Sequence, residues 1–172
     1  MIPDLERYDW GERIAGGRLT NQWYVLCCKP HKEQVILQQL QHMGFETYFP
    51  CSLGQNGKTG KLELRPYFPG YLFVRANLDE VSLSTFQWMP HTEGLVSFET
   101  KPAYVPDHLL RAVRRHVNET YVPNMVEGNW GVEAGYDSML DMSLSEDERV
   151  RRLLRILEGL SLSSSSGDDL LA

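Results

Sequence analysis

The 172-residue chain is poor in cysteine, with only Cys27, Cys28 and Cys51. The number is odd, two are adjacent and no C-x-x-C pair occurs, which argues against a disulfide framework or a zinc ribbon. Cys28 and His31 could share a metal, but two ligands at a strand end do not complete a site. Buried thiols are the ordinary reading, and neither metal nor cofactor is expected. No apolar run is long enough to cross a membrane. Residues 1–22 are polar, carry both signs of charge and lack the apolar core of a signal peptide, so a cytoplasmic protein without a membrane partner is expected. The chain also lacks a nucleophile–base pair, a metal cluster and a phosphate-binding loop, so no enzyme is expected.

What is present is an ordinary globular composition, 42% hydrophobic and 23% charged. The net charge of −6 is unevenly placed: through Thr120 there are 13 basic and 13 acidic residues, and from Tyr121 onward 4 against 10. Between Trp23 and Ala76 the balance is 6 basic to 3 acidic. A mildly basic body thus carries an acidic appendage, either a screen for a nucleic-acid-facing surface or a solubilising tail.

The centre of the chain is Arg65-Pro66-Tyr67-Phe68-Pro69-Gly70-Tyr71-Leu72-Phe73-Val74-Arg75. It reads as a proline–aromatic corner, a turn at Gly70 and a strand with Tyr71 and Phe73 on one face and Leu72 and Val74 on the other. Such a strand is either central and buried on both sides or presents Tyr71 and Phe73 as a docking surface.

Around it, residues 1–22 read as a mobile arm. Trp23 to Cys28 is a strand, and Pro30 opens a helix from Glu33 to Met43 with Ile36, Leu40 and Met43 on one face. Gly44 stops that helix, and Phe45 to Pro50 is a second strand. Ser52 to Lys61 is a glycine-rich hairpin tip with basic Lys58 and Lys61, a plausible nucleic-acid contact. A short helix follows over 81–88, a strand over 94–98, and a helix from Pro106 to Val117 with Leu109, Leu110, Val113 and Val117 on its apolar face. An α+β fold is expected: a four-stranded, largely antiparallel sheet with helices packed on one side.

Trp23-Tyr-Val-Leu-Cys-Cys-Lys-Pro-His-Lys-Glu, Phe45-Glu-Thr-Tyr-Phe-Pro, Pro66-Tyr-Phe-Pro-Gly-Tyr-Leu-Phe-Val, Gly94-Leu-Val and Pro102-Ala-Tyr-Val-Pro occur in this order. Together they resemble the N-terminal domain of NusG-type transcription elongation factors, with the specialised RfaH-like paralogues nearer than the housekeeping form. The resemblance implies a monomeric elongation or antitermination factor that binds RNA polymerase on the clamp helices of its largest subunit and modulates pausing and termination. It implies an aromatic docking patch of Phe68, Tyr71 and Phe73, with Trp23 and Tyr24 lining or supporting it. It also implies that Lys29, His31 and Lys32 face the non-template DNA strand. Without the resemblance, the alternative is a stand-alone nucleic-acid-binding module that stacks bases on the sheet aromatics.

The resemblance covers residues 23–120. Residues 121–144 read as a linker and the start of an eroded KOW-type barrel. Residues 145–159 read as an amphipathic helix, with Ser145 and Glu148 as a capping box, Gly159 as its stop, and Val150, Leu153, Leu154 and Leu157 along one face. Asp147 with Arg151 and Glu148 with Arg152 are i, i+4 pairs in the favoured order. That helix either masks Tyr71 and Phe73 in the free protein or packs elsewhere. In RfaH-like factors an acidic residue at the position of Arg65 pairs with an arginine matching Arg149; here the two would repel, with Glu63 or Glu148 to compensate. Residues 160–172 are expected to be a flexible end.

Overall fold

A computed structural model describes residues 21–121 and 143–165. Residues 1–20 of the expected arm (1–22), 122–142 of the expected linker and barrel start (121–144) and 166–172 of the expected flexible end (160–172) lie outside the described residues. In chain order the first half comprises β1 (Gln22–Cys28), α1 (Glu33–His42), β2 (Glu46–Tyr48), β3 (Cys51–Gln55), β4 (Leu62–Pro66) and β5 (Tyr71–Ala76). The second half comprises α2 (Leu83–Gln87), β6 (Thr92–Leu95), β7 (Ser97–Phe98), β8 (Lys101–Pro102), β9 (Tyr104–Val105), α3 (Asp107–Tyr121) and α4 (Glu146–Ser165).

The main sheet runs β2-β5-β1-β6, with β9 pairing the start of β1. Every pairing in it is antiparallel. Strands β3 and β4 form a separate two-stranded ribbon, and β7 and β8 a second, smaller one. The α+β architecture expected from the sequence is present, including the C-terminal helix.

The helices cover both faces of the sheet rather than one. Alternation along β1 and β5 sends Tyr24, Leu26, Leu72 and Val74 to one face, where Ile36 and Leu40 of α1 and Phe86 of α2 complete a first core. Trp23, Val25 and Phe73 point the other way, into a second core built by Leu109, Leu110, Val113 and Val117 of α3 and Leu153 and Leu157 of α4. A central strand that is apolar on both faces requires cover on both, and one layer of helices could not supply it.

Helix α4 starts as its capping pattern requires: the Glu148 N–H donates to the Ser145 hydroxyl at 3.3 Å. It does not stop at Gly159 but continues to Ser165. A single interior glycine costs a helix only about 1 kcal/mol, and Leu160, beyond it, packs on the second core. Glu148 pairs with Arg152 at 3.3 Å as expected, whereas Arg151 also turns to Glu148, at 3.5 Å, rather than to Asp147.

Candidate docking face and nucleic-acid edge

Phe68-Pro69-Gly70-Tyr71 is a type II turn. The Tyr71 N–H donates to the Phe68 carbonyl at 3.1 Å, Pro69 takes the second position, and Gly70 takes the third with φ +81°. The peptide groups at Gly70 are held from both sides: its N–H donates to Glu33 Oε1 at 2.9 Å, and its carbonyl accepts from the Cys28 N–H at 2.8 Å. A Cβ at Gly70 would stand 3.4 Å from the Cys28 carbonyl oxygen. The first turn of α1, the end of β1 and the proline–aromatic corner are therefore one hydrogen-bonded joint.

Beyond that joint the aromatic rings interlock. Tyr67 meets Phe68 edge to face at 4.9 Å, Phe68 meets Phe73 at 6.2 Å, and Tyr48 stacks on Phe73 at 6.0 Å. Two cations lie on these rings. The Arg114 guanidinium of α3 sits 4.6 Å from the Tyr48 ring centre and 5.4 Å from that of Trp23. Arg149 of α4 sits 4.4 Å from the Tyr67 ring centre and donates from Nε to the Tyr67 carbonyl at 3.1 Å. Only 6% of Arg149 is exposed.

The expected patch is thus partly gathered. Trp23, Phe68 and Phe73 share this face and are buried, while half-buried Tyr71 packs at its margin. Tyr24 is not part of it: it lies on the opposite face, in the core with Ile36 and Leu40, because successive strand residues point to opposite sides. Tyr67, Tyr48, Arg114 and Arg149 belong to the face; the sequence reading named Arg149 only as a cation facing Arg65 and did not single out the other three. Tyr67 stood inside the central stretch, and Arg149 lies four residues before Leu153, one helical turn along the same stripe.

Helix α4 covers this face with a stripe shifted from the expected one. Leu153 and Leu157 are fully buried in it, and Val150, Ile156 and Leu160 pack on it. Leu154 is outside that set, because the stripe centres on the line through Arg149, Leu153, Ile156, Leu157 and Leu160. The expected Arg65–Arg149 repulsion has no counterpart, since Arg149 turns to Tyr67 and the Arg65 side chain lies along Gly54 of the ribbon. Neither expected compensator engages Arg149: Glu63 accepts from Asn56, and Glu148 holds Arg151 and Arg152. With Phe73 fully buried and Tyr71 half-buried, the sheet aromatics do not offer the open stacking platform of the alternative reading.

At the margin, Cys27 pairs with Tyr71 across β1 and β5, and its thiol donates to Glu93 Oε2 at 3.4 Å. Burial, then the Glu93 carboxylate, pushes the Cys27 thiol up to about 11. Burial, then the neighbouring Cys27 and Glu33, pushes Cys28 up to about 12. Burial likewise raises Tyr71, with Cys27 and Glu93 adding to it. These are protonated, unreactive groups at neutral pH.

The basic candidates fall on two elements. Lys29, His31 and Lys32 are exposed on the turn between β1 and α1, where His31 has φ +63°. Lys58 and Lys61 are exposed at the tip of the β3–β4 ribbon. Leu53, Leu62 and Leu64 line one exposed face of that ribbon. Trp88, just after α2, is 78% exposed and was not singled out by the sequence pattern. Among the described residues no group of three or more His, Cys, Asp or Glu is placed to hold a metal, and no helix is long and apolar enough to cross a membrane.

The family model described as transcription termination factor nusG matches residues 21–114. The chain belongs to the NusG family. The matched segment of this NusG-family chain contains the whole sheet, the Gly70 joint and most of α3, whereas α4 lies beyond it. No curated protein sequence matches the chain. A solved structure described as "Domain interaction in Thermotoga maritima NusG" is similar at 21% identity, with a TM-score of 0.45, over 67% of this chain and 71% of that one.

Proposed function

We propose that this NusG-family transcription factor binds RNA polymerase through the face of Trp23, Tyr67, Phe68, Tyr71 and Phe73, and that α4 occupies that face in the free chain. The observation that carries the reading is the seating of Leu153 and Leu157 in one core with Trp23, Phe68 and Phe73, rings the sequence resemblance assigns to docking, with Arg149 on the adjoining Tyr67 ring. A partner helix with a similar apolar stripe, such as a clamp helix of the largest polymerase subunit, would bury the same surface. Polymerase held this way would be modulated in pausing and termination, and the factor would act as a cytoplasmic monomer without catalytic chemistry of its own. The Lys29–Lys32 turn would lie toward the non-template strand, with Lys58 and Lys61 as a second electrostatic contact.

The test is capture of core RNA polymerase by the full chain, by Leu153→Glu/Leu157→Glu, and by that variant carrying Tyr71→Ala. Capture should rise when α4 is displaced and fall again with Tyr71→Ala, with little dependence on salt. No capture by any of the three would overturn the polymerase reading. Equal capture by the first two would overturn the masking.

A further inference from the structure

Trp88 is an anomaly in a chain that buries its other described tryptophan, Trp23, to 1% exposure. Nothing in the packing requires an indole there, and exposing one in water has an apolar cost. Its mounting is nevertheless fixed. The Trp88 N–H donates to the Ser84 carbonyl at 3.0 Å, which closes α2. Phe86 and Met89, on either side, are buried in the first core. The Thr92 hydroxyl reaches the Phe86 and Met89 carbonyls and ties down the turn that follows. The ring therefore stands on a rigid support and projects into solvent.

That support adjoins the basic turn. The Lys29 N–H donates to the His91 carbonyl at 2.9 Å, and Cys28 pairs with Thr92, so the 29–32 turn and the 88–91 turn run side by side. Lys29, His31, Lys32 and His91 are exposed on these two turns. Of the carboxylates nearest in sequence, Glu33 accepts from the Gly70 N–H and Glu93 from the Cys27 thiol. An exposed indole on a turn that adjoins one bearing two lysines and a histidine matches the chemistry of an unpaired nucleotide, which offers one flat face and one phosphate per residue.

We infer that Trp88 is a base-stacking residue for single-stranded nucleic acid whose phosphates run along Lys29 and Lys32. This rests on the reading that the 29–32 turn faces nucleic acid, and it replaces the buried sheet aromatics with the most exposed aromatic ring among the described residues. Duplex nucleic acid keeps its bases stacked on one another and offers no face to Trp88.

The test is fluorescence anisotropy of labelled oligothymidine, oligouridine and a DNA duplex with the full chain, across a salt series. Trp88→Ala should weaken single-strand binding roughly tenfold or more, the range of one lost stacking contact. Trp88→Phe should retain most of the affinity and Trp88→Leu should not. The salt slope should be unchanged by Trp88→Ala, whereas Lys29→Ala/Lys32→Ala should flatten it by about 1.4, roughly 0.7 per phosphate contact on a single strand. Comparing oligothymidine with oligouridine tells whether DNA, RNA or both supply the base. Unchanged affinity in Trp88→Ala, equal losses on duplex and single strand, or no single-strand binding by a chain that still captures polymerase would each overturn the inference. Trp88-dependent binding by a chain that captures no polymerase would uphold it and overturn the polymerase reading instead.

Discussion

Replacing Leu153 and Leu157 with alanine should release α4 and leave the rest of the fold standing. Both side chains are fully buried against Trp23, Tyr67, Phe68 and Phe73. Each truncation removes about 2–3 kcal/mol of burial and packing. The two sites are neighbours on one helix and share one cavity, so their effects will not add fully. A combined loss of about 3–5 kcal/mol is reasonable, which shifts the docked–released equilibrium roughly a hundredfold to several thousandfold. Once released, α4 has only its own 20 residues to hold it, and an isolated helix of about that length is marginal in water. The assay is native-state hydrogen exchange. Amides from Arg149 to Leu160 should lose protection by the factor above, while those of β1 and β5 keep theirs. Equal loss of protection in β1 and β5 would mean that α4 is part of one cooperative unit and not a cover. Unchanged protection in α4 would mean that these leucines do not hold it.

Arg149→Ala should also loosen α4, by about 1–3 kcal/mol, because the Tyr67 carbonyl loses its donor and the ring its cation; exchange at the α4 amides reads this, and Arg149→Lys should recover only part. Glu33→Ala leaves the Gly70 N–H without its acceptor and should cost about 1–3 kcal/mol in urea unfolding, with Gly70→Ala costing at least about 1 kcal/mol from its φ of +81°. Burial raises the thiols of Cys27 and Cys28 in the folded state, to about 11 and about 12. Their contribution to stability is therefore complete below the ordinary thiol range and is lost as pH climbs from about 9 toward 12. A Cys27→Ser/Cys28→Ala variant should show a shallower alkaline fall in melting temperature. At pH 8 both thiols should react with iodoacetamide at least roughly tenfold more slowly than free cysteine, as timed by mass spectrometry.

Much of the fold was readable because its signals are local. The alternation of Trp23, Tyr24, Val25 and Leu26 fixes a two-faced strand, and Pro69-Gly70 fixes the turn. Ser145 with Glu148 fixes the start of α4. What the pattern could not give was which element covers which face, because alternation marks the two faces of a strand but not the helix that packs on each. Tyr24 shows a related limit: its aromatic character suits a docking patch, but its parity places it on the opposite face. Leu154 and Gly159 show the limit of short windows, since the true stripe of α4 emerges only when Arg149 and Leu160 are read with it. Trp88 carries no periodic signal at all, and its role is visible only from its exposure and from the Lys29–His91 hydrogen bond.

The sheet also works as a partition. The first core supports the 29–32 and 88–91 turns from beneath through Ile36, Phe86 and Met89, and the second core holds the rings under α4. Residues belonging to one core are absent from the other. Side-chain packing on one side is thus separate from packing on the other, and the Gly70 joint links the two through the backbone. A substitution confined to one core therefore need not be matched by repacking in the other.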